Sequence, residues 1–215
     1  MRRPFRLITL AGLLFLLAAC GEPDERDRPW DVAITPEGKP RVADITLGET
    51  TLSEVEGRQF SRMQIALFED DEGHLAAEAF FKEMNFGGLH GRLHANLAVS
   101  RETLESMRDD SLKRESGDSA TGARNYRVTE ENIERLREKP VESLTFIPFA
   151  EFSEELIIRY FGEPDERYRG AGRQVHYQYP ERGIEVVHDP DGKEVIQYVH
   201  PRDFSRLREP WADEH

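Results

Sequence analysis

Apolar and polar positions alternate along three stretches in the first half of the chain. Met63, Ile65 and Leu67 share one parity, and after a turn-like stretch over 69–73 so do Leu75, Ala77, Ala79 and Phe81. Further on, Leu89, Gly91, Leu93, Ala95, Leu97 and Val99 stand on one parity against His90, Arg92, His94 and Asn96 on the other. A period of two sends successive side chains to opposite faces, so this third run predicts a half-buried strand. The second run fits either period, because its alanines and the Phe80-Phe81 pair also suit a helix. Ahead of these runs, Thr51-Leu52-Ser53-Glu54 has the T-x-x-E form of a capping box. It predicts a short helix with Leu52, Val55 and Phe60 inward, weakened by Gly57.

The last third repeats this order. Ser153 caps a predicted helix carrying Leu156, Ile157, Tyr160 and Phe161, which Gly162 and Pro164 stop. Strands are predicted over 174–179, 183–188 and 194–199, joined by Pro180-Glu181-Arg182-Gly183 and Asp189-Pro190-Asp191-Gly192, both good turn sequences. Pairing Tyr179 with Ile184 and Val186 with Ile196 puts Tyr177, Ile184, Val186, Ile196 and Tyr198 in the core, beneath Leu156 and Tyr160. Between the two repeats, 109–121 is charged and Ser/Gly-rich and reads as a connector. Tyr126-Arg127-Val128 forms a short strand, and Thr129 caps a helix through Arg137 that Pro140 ends.

Residues 1–6 are basic, an apolar run follows to Leu17, and then comes Leu17-Ala18-Ala19-Cys20. This arrangement resembles a bacterial lipoprotein lipobox. The resemblance implies that the Cys20 thiol takes a diacylglycerol and that cleavage before it frees an amine that is acylated in turn. At about 0.8 kcal/mol per buried methylene, two or three chains anchor a domain stably. The apolar run is too short for a membrane span, which needs roughly 20 residues. Plain secretion is the alternative and would leave a free thiol. Position 21 holds Gly rather than Asp, and by resemblance to Gram-negative lipoprotein sorting that implies the outer membrane, with the chain facing the periplasm.

The fold class that follows is α+β, with two small helix-plus-three-stranded-antiparallel-sheet modules in tandem. Residues 1–19 are the signal peptide, and 20–42 are the acylated cysteine and a flexible tether, since 22–42 lacks apolar periodicity. The first module covers 43–108, a connector with a short helix 109–142, the second module 143–208 and a tail 209–215.

The second unit carries a family resemblance. Phe152-Ser153-Glu154-Glu155-Leu156, Phe161-Gly162-Glu163-Pro164-Asp165, Tyr177-Gln178-Tyr179-Pro180 and Asp191-Gly192-Lys193 resemble the SmpA/OmlA type of small outer-membrane lipoprotein module over about a third of the chain. Such modules share a fold with β-lactamase inhibitor proteins, and the name-giving member belongs to the β-barrel assembly machine. The family's G-M-T before the helix is absent, with Gly48-Glu49-Thr50 a loose echo in the first unit. The resemblance implies a lipid-anchored module that binds other envelope proteins.

Charge narrows the choice of partners. The whole chain has a formal net charge of −13, and loss of the signal peptide with its three arginines takes it to −16. Such a surface argues against nucleic acid and against docking by charge on an anionic membrane. One cysteine among 215 residues excludes an internal disulfide framework. His176, His188 and His200 are evenly spaced, but the hairpin length produces that spacing and their side chains do not converge. His90 and His94 share a face about 13 Å apart, too far for one ion. These histidines read as solvated strand residues, and no metal or cofactor is expected.

No G-x-S-x-G phrase presents a serine, and no phosphate-binding glycine loop is present. Carboxylate pairs such as Asp70-Asp71, Asp109-Asp110 and Glu154-Glu155 are expected in a chain with 42 acidic residues. Arg167, Arg169 and Arg173 could form a small anion site, against the default of a solvated loop that balances local acids. The chain therefore reads as a non-catalytic envelope protein that binds a protein partner. The alternatives are an envelope hydrolase whose site assembles from scattered carboxylates and histidines, and an enzyme inhibitor by analogy of fold. The candidate interaction or interdomain face is the outward row of His176, Val187 and Val195 with Val199 nearby. These valines need a cover, either the first module, the 124–140 segment or a partner.

Overall fold

The computed structural model describes residues 28–57, 63–70, 72–111, 113–115 and 124–207. The architecture is mixed α+β and mostly sheet. Short strands β1 (Ala33–Ile34), β2 (Pro40–Val42) and β3 (Ile45–Thr46) precede α1 (Leu52–Gly57), β4 (Met63–Glu69), β5 (Leu75–Phe86) and β6 (Leu89–Leu97). Then come α2 (Arg101–Asp109), β7 (Lys113–Glu115), β8 (Arg124–Arg127), α3 (Glu130–Arg137) and β9 (Val141–Pro148). The order closes with α4 (Glu154–Phe161), β10 (Glu166–Arg169), β11 (Val175–Tyr179), β12 (Ile184–His188), β13 (Val195–Tyr198) and a 3-10 helix over Pro201–Leu207.

The capping signals work as the sequence suggests. Thr51 N–H donates to Glu54 Oε2 at 2.7 Å while Glu54 N–H donates back to Thr51 Oγ1 at 3.4 Å, the reciprocal bonds of a capping box. Thr129 and Ser153 accept from Asn132 and Leu156 N–H at the starts of α3 and α4. Gly162, at φ 83°, ends α4, and its carbonyl accepts from Tyr179 OH at 2.9 Å. Phe60, expected inward from α1, lies outside the described residues. The 75–81 run is strand, part of β5, which a bulge between Phe81 and Met84 carries on to Phe86.

Strands β4 to β13 form one antiparallel ten-stranded sheet in the order β10-β11-β12-β13-β9-β6-β5-β4-β8-β7. The expected boundary at 142/143 falls inside β9, which pairs with β6 on one side and β13 on the other. The two meanders therefore share a sheet, with the last strand of each flanking β9. The physical cause is edge satisfaction. Each meander alone would leave a row of unpaired N–H and C=O groups on its third strand, and one strand between them satisfies both. Val141, Leu144 and Phe146, all buried, give β9 the same inward side as its neighbours.

The registers Tyr179↔Ile184 and Val186↔Ile196 are as expected, and Tyr177, Ile184, Val186, Ile196 and Tyr198 are fully buried. Direct antiparallel pairing carries that face along the sheet through Phe146, Leu93 and Phe81 to Met63. Over α4 the buried residues are Ile157 and Phe161, one step around the helix from Leu156 and Tyr160, which are half-buried. The reason is the segment from Arg28 onward. Trp30 stacks on Tyr160 with ring centroids 4.2 Å apart, and Tyr198 OH donates to Pro29 O at 2.8 Å. Within residues 28–42, expected to belong to a tether, Trp30 instead packs on α4 and the chain forms β1 and β2. Two aromatic rings and one buried hydroxyl tie down a stretch that has no periodicity of its own. The rest of the tether, 20–27, lies outside the described residues, as do the signal peptide and the 209–215 tail.

At the other end of the sheet a carboxylate is pinned between elements. Glu69 is 8% exposed and accepts from Tyr126 OH on β8, from Arg108 of α2 at 3.4 Å and from Arg124 at 3.5 Å. The Tyr126 hydrogen bond, aided by the two guanidinium groups, holds the Glu69 carboxyl below its ordinary 4.5. A depressed carboxyl contributes stability that is present above the unfolded value and lost as pH falls through the folded one. Tyr126→Phe should therefore lower the melting temperature at neutral pH. The gap from wild type should narrow below about pH 4.5, which a pH series of thermal melts reads directly. A gap that stays constant through that range would remove Glu69 as the titrating group.

Candidate functional site

The row singled out on the outward face is present in register. His176 lies opposite Val187, and Val187 opposite Val195. His176 is 1% exposed, Val187 7% and Val199 9%, whereas Val195 is half-buried. Val199 lines a separate cleft together with Leu75, Asn96 and Leu97 of the first half of the chain. The chain turns at His200-Pro201, and the 3-10 helix Pro201–Leu207 brings Arg206 and Leu207 to a cleft of about 360 Å3. Gln174, His176, Glu185, Val187, Val195 and Gln197 line the rest of it. The turn after β10 closes the far side so tightly that a Cβ at Gly170 would stand 2.5 Å from His176 Nε2.

At the His176 cleft sits a compact polar cluster. Glu185 Oε1 accepts from Gln178 Nε2 at 2.7 Å and from Tyr168 OH at 3.2 Å, and lies 3.1 Å from His176 Nδ1. Tyr168 stacks on His176 with centroids 4.5 Å apart. Gln178 and Glu185 are directly opposite on β11 and β12, so the expected register already held this pair. Tyr168 was not legible, because β10 was not expected as a strand. Buried polar groups persist only when their bonds are made, and here three donors converge on one carboxylate oxygen. The reading of His176 as a solvated strand residue is thus corrected by its burial.

The other histidines go to separate partners. His188 Nδ1 lies 3.2 Å from Glu194 Oε1, His200 Nδ1 accepts from Arg202 N–H at 3.2 Å, and His94 is hydrogen-bonded to Glu78. Among the described residues no three His, Cys, Asp or Glu side chains gather around a metal position. The cleft joins a histidine to a glutamate, but no hydroxyl, thiol or amine side chain lines it. Its chemistry, as built, is that of a packed polar core with a small opening. Cys20, the expected lipid attachment residue, lies outside the described residues. Among the described residues no helix is long and apolar enough to cross a membrane.

Over its central strands the same sheet face is less covered, among the described residues, than the cluster just described. Phe68, Phe80, His94, Thr145 and Ile147 on this side are half-buried. Phe80 and His94, opposite each other on β5 and β6, have ring centroids 4.7 Å apart. Thr145 continues that row on β9 and Gln197 on β13. The surface is a row of aromatic and hydrogen-bonding side chains on a rigid pleat, a form suited to contact with another surface.

Comparison with known proteins finds no matching family model, no matching curated protein and no matching solved structure.

Proposed function

We propose that this chain is a lipid-anchored envelope protein that acts as a non-catalytic binding or scaffolding module for another envelope protein. It is held on the outer membrane through Cys20 and faces the periplasm. The observation that carries the reading is the half-buried sheet face over β5, β6 and β9. It sets Phe80, His94, Thr145 and Ile147 on a rigid frame without any of them being buried. Apolar side chains on a less covered face fit a contact surface. The two helix-plus-meander units, α1 with β4 to β6 and α4 with β11 to β13, are read as tandem modules of the SmpA/OmlA kind fused through β9.

A photo-crosslinking residue placed at Phe80 in growing cells should give a discrete adduct with one envelope protein. The same residue at exposed Glu134 on α3 should give none. Equal smears from both positions would overturn the binding role. Anchoring has its own test. Cys20→Ser should abolish acylation, read by mass spectrometry, and move the protein from the membrane pellet to the soluble fraction. A variant that still floats with membranes would refute the lipid anchor.

A further inference from the structure

At the free edge of the sheet, β10 places Arg167 and Arg169 opposite Tyr177 and Val175, on the side that carries α4. Two positions along a strand are about 7 Å apart. The turn to β11 adds Arg173, and His188 at the end of β12 lies opposite Val175. All four side chains line one cleft of about 610 Å3, in which Glu154 at the start of α4 is the sole lining carboxylate. On a chain of net charge −13 this is a local reversal of sign.

The cations are held in place without all being neutralised. Arg167 bonds Glu154 at 2.6 Å and lies over the Tyr177 ring, its carbon 5.0 Å from the centroid. Arg173 takes both oxygens of Asp191, at 3.0 and 3.1 Å. Glu194, 2% exposed, lies 3.2 Å from His188 Nδ1, which fixes the ring where it lines the cleft. Arg169 is exposed and makes no ion pair among the described residues. The default of a loop whose arginines each balance a local acid thus describes two of the three arginines. It accounts neither for Arg169 nor for the convergence of four groups from two strands and the turn between β10 and β11.

We propose that this cleft binds a phosphate ester. Forked guanidinium groups on a fixed frame match tetrahedral oxyanions, with several donors directed at one group of oxygens. The volume exceeds what a bare phosphate fills, and Val175 and Pro190 supply an apolar wall for a compact organic part. The site lies on the helix side of the sheet, apart from the face proposed to bind protein, so it stands or falls independently of that function.

The phosphate can come from a free monoester or from a phospholipid headgroup, and two small probes separate these sources. Full-length protein in nonionic detergent is titrated with glycerol 3-phosphate and with glycerophosphoglycerol, a lipid headgroup diester without its chains, and followed by NMR amide shifts. We expect saturable shifts confined to 167–175 and 188–190 with at least one probe. The tighter probe identifies the source. Arg169→Gln should weaken binding at least tenfold with the melting temperature unchanged, and Lys82→Gln, on the opposite face, should have no effect. Should Arg169→Gln fail to fold, Arg173→Gln serves in its place. The proposal is overturned if neither probe saturates, if sodium chloride at equal ionic strength produces the same shifts, or if a folded variant binds as wild type does.

Discussion

Phe146→Ala should lower the unfolding free energy by about 3–5 kcal/mol, and both halves of the sheet should lose structure in one transition. The ring is fully buried on β9, opposite Leu93 of β6 and Ile196 of β13, with its centroid 4.9 Å from that of Phe86. It occupies the space left by Gly91, where a Cβ would stand 2.6 Å from Phe146 Cε2 and 2.5 Å from Ile147 O. Truncation empties a volume bounded by strands from both meanders, so neither can collapse into it without moving the other. For a domain whose total stability is typically about 5–15 kcal/mol, the loss is large. Chemical denaturation gives the magnitude, and native-state amide exchange tests the coupling. Leu93 and Ile196 should lose protection together. Exchange that accelerates at Ile196 and leaves Leu93 unchanged would mean that the halves fold as separate units despite the shared strand.

Val187→Asp should abolish the native fold or destabilise it by at least about 3 kcal/mol. Val187 is 7% exposed, and on its own strand it lies two residues from Glu185, whose single oxygen already gathers three neighbours. A second carboxylate on that face would enter a covered space close to the Glu185 carboxylate, where desolvation and like charge both oppose it. Val187→Ala removes two methyl groups and no more, and should keep the fold. Near-UV circular dichroism and the melting temperature of the two variants separate a charge effect from a packing effect. If Val187→Asp melts within a few degrees of wild type, the packing over Val187 is loose and the row is open to a partner after all.

What could be read from the chain beforehand was local. Thr51, Thr129 and Ser153 announce their helices because a cap needs only a side-chain oxygen and the N–H two or three residues on. The β11–β12–β13 meander, down to the Tyr179↔Ile184 and Val186↔Ile196 pairs, follows from two short turns that set the register of adjacent strands. α2 was missed although Ser100 caps it and Leu104 and Met107 face inward, because two apolar positions in nine residues make a faint period. β10 was missed for a related reason, since an edge strand of Glu-Arg-Tyr-Arg has little apolar alternation to show.

Elements whose partners are near in the chain, the inward parity of each meander, the alternation that would make one sheet face a problem and the arginines grouped around Arg169 are all written in local pattern. Which distant segments answer those needs is settled by the folded arrangement. β9 joins two meanders because both present an unpaired edge. Trp30 settles on Tyr160 and Pro29 meets Tyr198 across 169 positions of sequence separation. The 3-10 helix Pro201–Leu207 brings Arg206 and Leu207 to the cleft that Val187 and His176 line. Such choices depend on which surfaces remain uncovered once the strands have paired, and a pattern of period two or 3.6 carries no information about a partner a hundred residues away.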